Sequence, residues 1–272
     1  MIPQAHITAW RSRAPWASDA QVEQDLVLSR ALVEIFSGAA LAQALAFRGG
    51  TALHKLFLDP PVRYSEDIDL VQITAGPIGG VMNALRALLH PWLGKPQWKH
   101  GPGGVALTYR FESEGMPATP LRLKIEINTR EHFSMLGLRA EPFAVDNPRF
   151  AGRAEVRTYA IEELLATKLR ALYQRKKGRG LFDLSLALQR LPDLDANEIV
   201  DGFMRYMEHA GARVSRAEFE ANLAEKVADR AFTDDAAPLL ATGVDYDAAS
   251  ALKRVQTSLI SLLPGEPWKG VG

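Results

Sequence analysis

The sequence contains no cysteine. Disulfides and thiolate metal sites are therefore excluded, any bound metal has to be held by oxygen or imidazole, and a reducing compartment suits the chain. Net charge is lacking as well, because 32 basic side chains balance 32 acidic ones. No global field draws such a chain onto nucleic acid or anionic lipid, so any polyanion site has to be local. Long apolar runs are also missing, and none approaches the roughly 20 residues a membrane span requires. These absences lead us to expect a soluble, cytoplasmic protein with no membrane partner. The six histidines stand apart, at 6, 54, 90, 100, 132 and 209, without the spacing of a zinc site. Apolar material is plentiful: with 47% hydrophobic and 24% charged residues, 272 residues can build one large core or two linked ones.

Residues 1–17 read as an irregular arm in which Arg11 and Arg13 are interleaved with prolines and tryptophans. Ser18 or Asp19 is placed to cap a helix whose apolar positions are Val22, Leu26, Leu32, Val33 and Phe36. A short helix over 38–45, a brief strand at 46–48, a Gly49-Gly50 turn and a helix opening at Thr51 are expected next, closed by Pro60-Pro61. Residues 67–73 read as a strand. A helix initiated by Pro77 carries Met82, Leu85, Leu88 and Leu89 and stops near Pro91. Segments 105–111 and 121–127 alternate with period two around a turn-rich 114–120, the pattern of a hairpin, and a further strand falls at 154–158. Beyond Tyr159 the pattern becomes helical, with four or five helices. The expected architecture is α+β: a small mixed sheet flanked by helices in a domain spanning 1–155, then a helical domain spanning 156–272.

Two segments carry chemistry. In the run Phe47-Arg48-Gly49-Gly50-Thr51-Ala52-Leu53, two glycines between a strand and a helix let backbone N–H groups approach a phosphate, and Thr51 adds a hydroxyl. The plainer reading is a glycine turn with Thr51 as an ordinary helix cap. Downstream comes Ser65-Glu66-Asp67-Ile68-Asp69-Leu70, with Asp67 sixteen residues after Thr51. In a strand, Asp67 and Asp69 project from one face and form a hard oxygen site suited to Mg²⁺ or Mn²⁺ beside substrate phosphates. As a solvated strand face they would be costly, since aspartate is disfavoured in strands and like charges repel. On the helix at 161–173, Lys168 falls inside the apolar stripe of Ile161, Leu164, Leu165, Leu169 and Leu172. Such a lysine needs a counter-charge, either a nucleotide phosphate or a structural acid. From Lys168 to Arg179 there are six basic residues and no acid. This run suits an RNA backbone or a triphosphate, or else simply a solvated helix end. No P-loop lysine follows the glycines at the required offset, and no nucleophile elbow is present.

The order and spacing of these segments resemble the nucleotidyltransferase superfamily, whose fold is polymerase β-like. The wording Arg48-Gly49-Gly50-Thr51-Ala52-Leu53 and Arg63-Tyr64-Ser65-Glu66-Asp67-Ile68-Asp69-Leu70 is similar to the AbiEii family, the toxins of type IV toxin–antitoxin and phage-defence systems. The resemblance implies metal ligation by Asp67 and Asp69. It also implies a third carboxylate on a later strand, for which Glu126 in Leu123-Lys124-Ile125-Glu126-Ile127-Asn128 is the candidate; plain alternation of a half-solvated strand describes Glu126 equally well. It places Arg48, Gly49, Gly50 and Thr51 at the nucleotide. A lysine on a helix and a following Arg-Asp-aromatic-Asp-type segment carry over to Lys168 and to Asp183 in Arg179-Gly180-Leu181-Phe182-Asp183-Leu184. Here Gly180 departs from the first acid of that segment. Asp183 also fits an acid placed in a first helical turn by the dipole.

The activity so implied is transfer of a nucleoside monophosphate from an NTP to an acceptor, with RNA such as a tRNA 3′ end expected, by a growth-inhibiting toxin restrained by a cognate antitoxin. Two alternatives stand beside it: the same chemistry on a protein or a small molecule such as an aminoglycoside, and a non-catalytic nucleotide-binding module.

Overall fold

A computed structural model describes residues 2–270. The chain divides into two compact units, one ending at Tyr159 and the other beginning at Ala160. The first contains helices α1 (Gln4–Trp10), α2 (Asp19–Ser37), α3 (Ala39–Ala44), α4 (Gly49–Ala52) and α5 (Gly79–Leu93). Its strands are β1 (Leu45–Arg48), β2 (Asp67–Gln72), β3 (Gln97–Gly101), β4 (Gly104–Glu112), β5 (Pro120–Asn128), β6 (Leu138–Asn147) and β7 (Phe150–Tyr159). They form one seven-stranded sheet in the order β3-β4-β5-β2-β1-β7-β6. The sheet is mixed, because β2 runs parallel to β5 and β1 parallel to β7 while the other neighbouring pairs are antiparallel. The α+β architecture expected from the sequence is present, with more strands than the sequence pattern revealed.

The alternating strands fix which face is which. In β5, Leu121, Leu123, Ile125 and Ile127 are buried while Lys124, Glu126 and Asn128 are only partly so. In β4, Val105, Leu107 and Tyr109 are buried on the same side. In β2, the buried Ile68 and Leu70 alternate with the less buried Asp67 and Asp69. Each such apolar side chain contributes about 2 kcal/mol on burial. A one-residue slip would expose the whole row, so the register that presents the two aspartates is set by their apolar neighbours. The long helix α2 packs against β7, β5 and β6, burying Leu26, Leu28, Leu32, Ile35 and Phe36. A capping box between Ser18 and Gln21 starts it where the sequence indicated.

Several local features differ from expectation. The arm is not wholly irregular, because Gln4–Trp10 forms α1, with Ile7 and Trp10 buried. The helix after β1 begins at Gly49 rather than at Thr51, and it passes into a π-helical turn over Leu53–Phe57. Helix α5 continues through Pro91 to Leu93.

The second unit comprises α6 (Ile161–Gln174), α7 (Arg179–Arg190), α8 (Ala196–His209), α9 (Arg216–Val227), α10 (Arg230–Thr233) and α11 (Ala248–Ser258). Helix α6 packs on α8 and α7, and α7 on α11, around a core that includes Phe203, Tyr206 and Phe219. Among the described residues no helix is long and apolar enough to cross a membrane.

Candidate active site

Strands β1 and β2 run side by side with Arg48 opposite Asp69 in the register. Gly49 follows at once with φ +84, a left-handed conformation that glycine adopts without a Cβ penalty. The conformation serves a close approach: a Cβ on Gly49 would lie 2.1 Å from Asp69 Oδ2 and 2.9 Å from its Cγ. The doubled-glycine bend thus cradles the Asp69 carboxylate, and the two sequence segments meet as their spacing suggested.

Asp67 shares the face of Asp69. Its Oδ1 is buried without a hydrogen-bond partner, and its carboxyl is pushed up to about 6, first by burial and then by the charge of Asp69. Burial and the neighbouring carboxylate outweigh the Lys124 charge that also acts on it, so the anion is under-compensated. An orphaned carboxylate oxygen beside a second carboxylate fits a divalent ion with oxygen preference. Among the described residues no group of three or more His, Asp or Glu side chains is arranged to hold a metal. The β2–β5 register puts Glu126 beside Asp69 and on the same face, with its Oε1 2.5 Å from Lys124 Nζ.

Thr51 occupies the third position of α4 and is not its N-cap, which is Arg48. Its hydroxyl is 1% exposed as a residue and donates to the Asp67 carbonyl at 2.6 Å, with Ser65 Oγ 2.7 Å away. The hydroxyl therefore ties the glycine bend to the first residue of β2. Arg48 Nη1 donates to Glu131 Oε2 at 2.6 Å, within a pair only 18% exposed on each side.

A buried cluster behind the bend escaped the sequence. Asp25, 2% exposed in the middle of α2, accepts from Trp10 Nε1 at 2.8 Å, Trp16 Nε1 at 3.2 Å and Lys55 Nζ at 3.0 Å. Lys55 sits in the π-helical turn that continues α4, and it also reaches Ser29 Oγ at 3.0 Å. Trp16 meets Tyr64 edge to face, with centroids 5.7 Å apart. One carboxylate thereby joins the N-terminal arm, the helix after the glycines and the segment leading to Asp67. The only sequence trace was a lysine soon after the glycines, at the wrong offset for a P-loop.

The remaining candidates lie in the second unit. Lys168 Nζ donates to Asp183 Oδ2 at 2.6 Å, with the lysine side chain 15% exposed and the aspartate fully buried. Of the two counter-charges open to Lys168, a structural acid is thus in place. Asp183 is not in the first turn of α7, where no acid stands, so the dipole does not account for it. Gly180, where the family pattern has an acid, is buried, and a Cβ there would touch Leu172. Within the basic run, Lys176 pairs with Asp229 at 2.5 Å, Lys177 and Arg179 approach Asp235 at 3.6 and 3.7 Å, and Arg170 stacks over Tyr206. Much of that charge is met by acids of the same unit. Arg175 remains exposed.

No curated protein matches the chain in sequence. Among solved structures, MenT4, a nucleotidyltransferase toxin from Mycobacterium tuberculosis H37Rv, is similar with TM-score 0.64 and 18% identity, over 97% of this chain and 91% of that one. JHP933 from Helicobacter pylori gives TM-score 0.48 and 17% identity over 88% and 90% of the two chains. An antigenic nucleotidyltransferase-like protein from Paracoccidioides brasiliensis gives 0.40 and 18% over 77% and 94%. At these identities the first likeness speaks for the fold, and the other two add nothing to the argument. The family model described as nucleotidyl transferase AbiEii toxin, type IV toxin–antitoxin system, matches residues 30–254. Spanning both the glycine bend with its paired aspartates and the helical unit, that match establishes that the chain belongs to the AbiEii family of nucleotidyltransferase toxins.

Proposed function

We propose that the protein transfers a nucleoside monophosphate from an NTP to an RNA acceptor, the 3′ end of a tRNA being the expected site, and that Asp67 and Asp69 hold the divalent ions. The observation that carries the reading is the orphaned, charge-destabilised Asp67 oxygen beside an Asp69 cradled by Gly49. Divalent ions bound there, Mg²⁺ or Mn²⁺, supply charge neutralisation at the triphosphate and at the entering and departing oxygens. The chain's own residues orient the substrate. The backbone of Gly49 and Gly50 faces the β and γ phosphates, and Arg48 flanks them. Thr51 holds the bend against β2 through the Asp67 carbonyl. The acceptor hydroxyl attacks the α-phosphorus and gives its proton to solvent water, while the bond from the α-phosphorus to the bridging oxygen breaks and pyrophosphate departs. Lys168 is assigned neutralisation of charge developing on the transferring group, as the family resemblance implies, with Asp183 as its positioning partner. As a toxin of a type IV system the protein is expected to have a cognate antitoxin as partner.

The test is transfer of label from each of four α-labelled NTPs to total cell RNA, with protein and small-molecule fractions assayed in parallel. Transfer to RNA that disappears in Asp69→Asn supports the proposal. Label in protein or in a small molecule instead moves the acceptor to another class. No transfer to any fraction with either metal leaves a non-catalytic nucleotide-binding module.

A further inference from the structure

The metal face holds a cation of the protein's own, and nothing in the reading above gives it a task. In the β2–β5 register Lys124 stands beside Asp67 and Glu126 beside Asp69, so the four side chains form a two-by-two block on one face of the sheet. Neighbouring strands lie about 4.8 Å apart and same-face residues of one strand about 7 Å apart. A lysine stem of four carbons reaches every carboxylate of such a block. Lys124 Nζ is 2.5 Å from Glu126 Oε1, and the charges of Asp67 and Asp69 both act on it. The next basic residue on that face, Arg122, is committed to Glu66 at 3.1 Å. Lys124 is therefore the local counter-charge for the three acids.

We propose that Lys124 is a resident placeholder for the metal, keeping Glu126 out of the coordination position until an incoming divalent ion displaces the ammonium and receives the carboxylate. The proposal rests on the reading of Asp67 and Asp69 as metal ligands. Two features make the exchange workable. The ammonium holds Glu126 Oε1, and its charge opposes a divalent ion brought to the same carboxylate, so loading of the ion weakens the pair. The pair is also 31% and 45% exposed, and an ion pair this open to water is weak enough to give way, with solvent to receive the lysine head. The face thus carries its own occupant while empty of metal, and Glu126 joins Asp67 and Asp69 only on loading.

The experiment measures Mn²⁺ binding without nucleotide, by electron paramagnetic resonance or calorimetry, on the full chain and on Lys124→Met, Lys124→Gln, Glu126→Gln and Lys124→Met/Glu126→Gln. Wild type is expected to bind Mn²⁺, and Lys124→Met and Lys124→Gln to bind it three- to tenfold more tightly while melting lower in the metal-free state. In the Glu126→Gln background the same lysine replacement is expected to gain clearly less, keeping only the part that comes from its charge acting on Asp67 and Asp69. An equal gain in both backgrounds would show that Lys124 acts only through its general field and would overturn the hand-over, as would no gain in either single variant. Absence of Mn²⁺ binding by wild type at millimolar concentration would instead overturn the metal-site reading itself. Circular dichroism on each variant shows that the chains compared are folded.

Discussion

Replacing Asp67 by asparagine should make the metal-free protein more stable while removing its response to metal. The magnitude follows from the site. A carboxyl raised from its ordinary 3.8 to about 6 is disfavoured as an anion in the folded chain, and the full conversion is about 3 kcal/mol at neutral pH. Asp67 retains contact with solvent, so screening reduces this to about 1–2 kcal/mol. The folded pKa lies above the unfolded one, so the contribution to stability is complete below pH 4 and is lost as pH rises through 6. Wild type bears the cost at pH 7.5 and about half of it at pH 5, whereas the neutral asparagine bears it at neither. In thermal denaturation with a chelator, Asp67→Asn should melt about 2–6 °C above wild type at pH 7.5, with a gap reduced to about half at pH 5 and nearly closed at pH 3.5. Adding Mn²⁺ at pH 7.5 should raise the wild-type midpoint and leave the variant unmoved. A variant no more stable than wild type at pH 7.5, or one that keeps the Mn²⁺ response, refutes the reasoning.

Further outcomes follow from other contacts. Gly49→Ala places a methyl 2.1 Å from Asp69 Oδ2 at φ +84, so transfer activity should fall at least a hundredfold in the labelled-NTP assay, with a loss of about 1–3 kcal/mol in urea unfolding. Lys55→Met leaves Asp25 buried without its cation, although both indoles still donate, and should cost about 3–5 kcal/mol by the same unfolding measurement. A change under 1 kcal/mol would show that the cluster is incidental. Lys168→Met should be similarly destabilising, whereas Lys168→Met/Asp183→Leu removes the buried charge and should recover most of the stability. If Lys168 acts on the substrate, the recovered double variant stays inactive. Recovery of transfer together with stability would limit the pair to holding the fold.

The parts of the site legible in the sequence were those with a local rule behind them. A period of two placed Asp67 and Asp69 together and Lys124 and Glu126 together, because alternation is a property of a single strand. The Gly49-Gly50 pair stood out because it precedes the paired aspartates at the order and spacing of the family, whereas alone it reads equally as an ordinary turn. What stayed hidden depends on distant partners. Asp25 looks like an ordinary acid of an amphipathic helix, and only the convergence of Trp10, Trp16 and Lys55 buries it. Asp183 was named through the family resemblance alone, because its bond to Lys168 joins two different helices and spacing does not show it. Strand β3 escaped because nearly all of Gln97–Gly101 is exposed, so no apolar alternation marks it. Strand β6 carries Pro142 and shows buried residues only at Phe143, Val145 and Asn147, the signature of an edge strand held mainly by its ladder to β7. The arm hid α1 because a helix of seven residues gives too short a window for helical periodicity.

The account depends most on the location of the ions. Anomalous scattering from crystals grown with Mn²⁺ and a non-hydrolysable NTP tests that location directly. The account predicts density bridging the Asp67 and Asp69 carboxylates and the triphosphate. Density at another place in the molecule, with these two carboxylates bare, would contradict it.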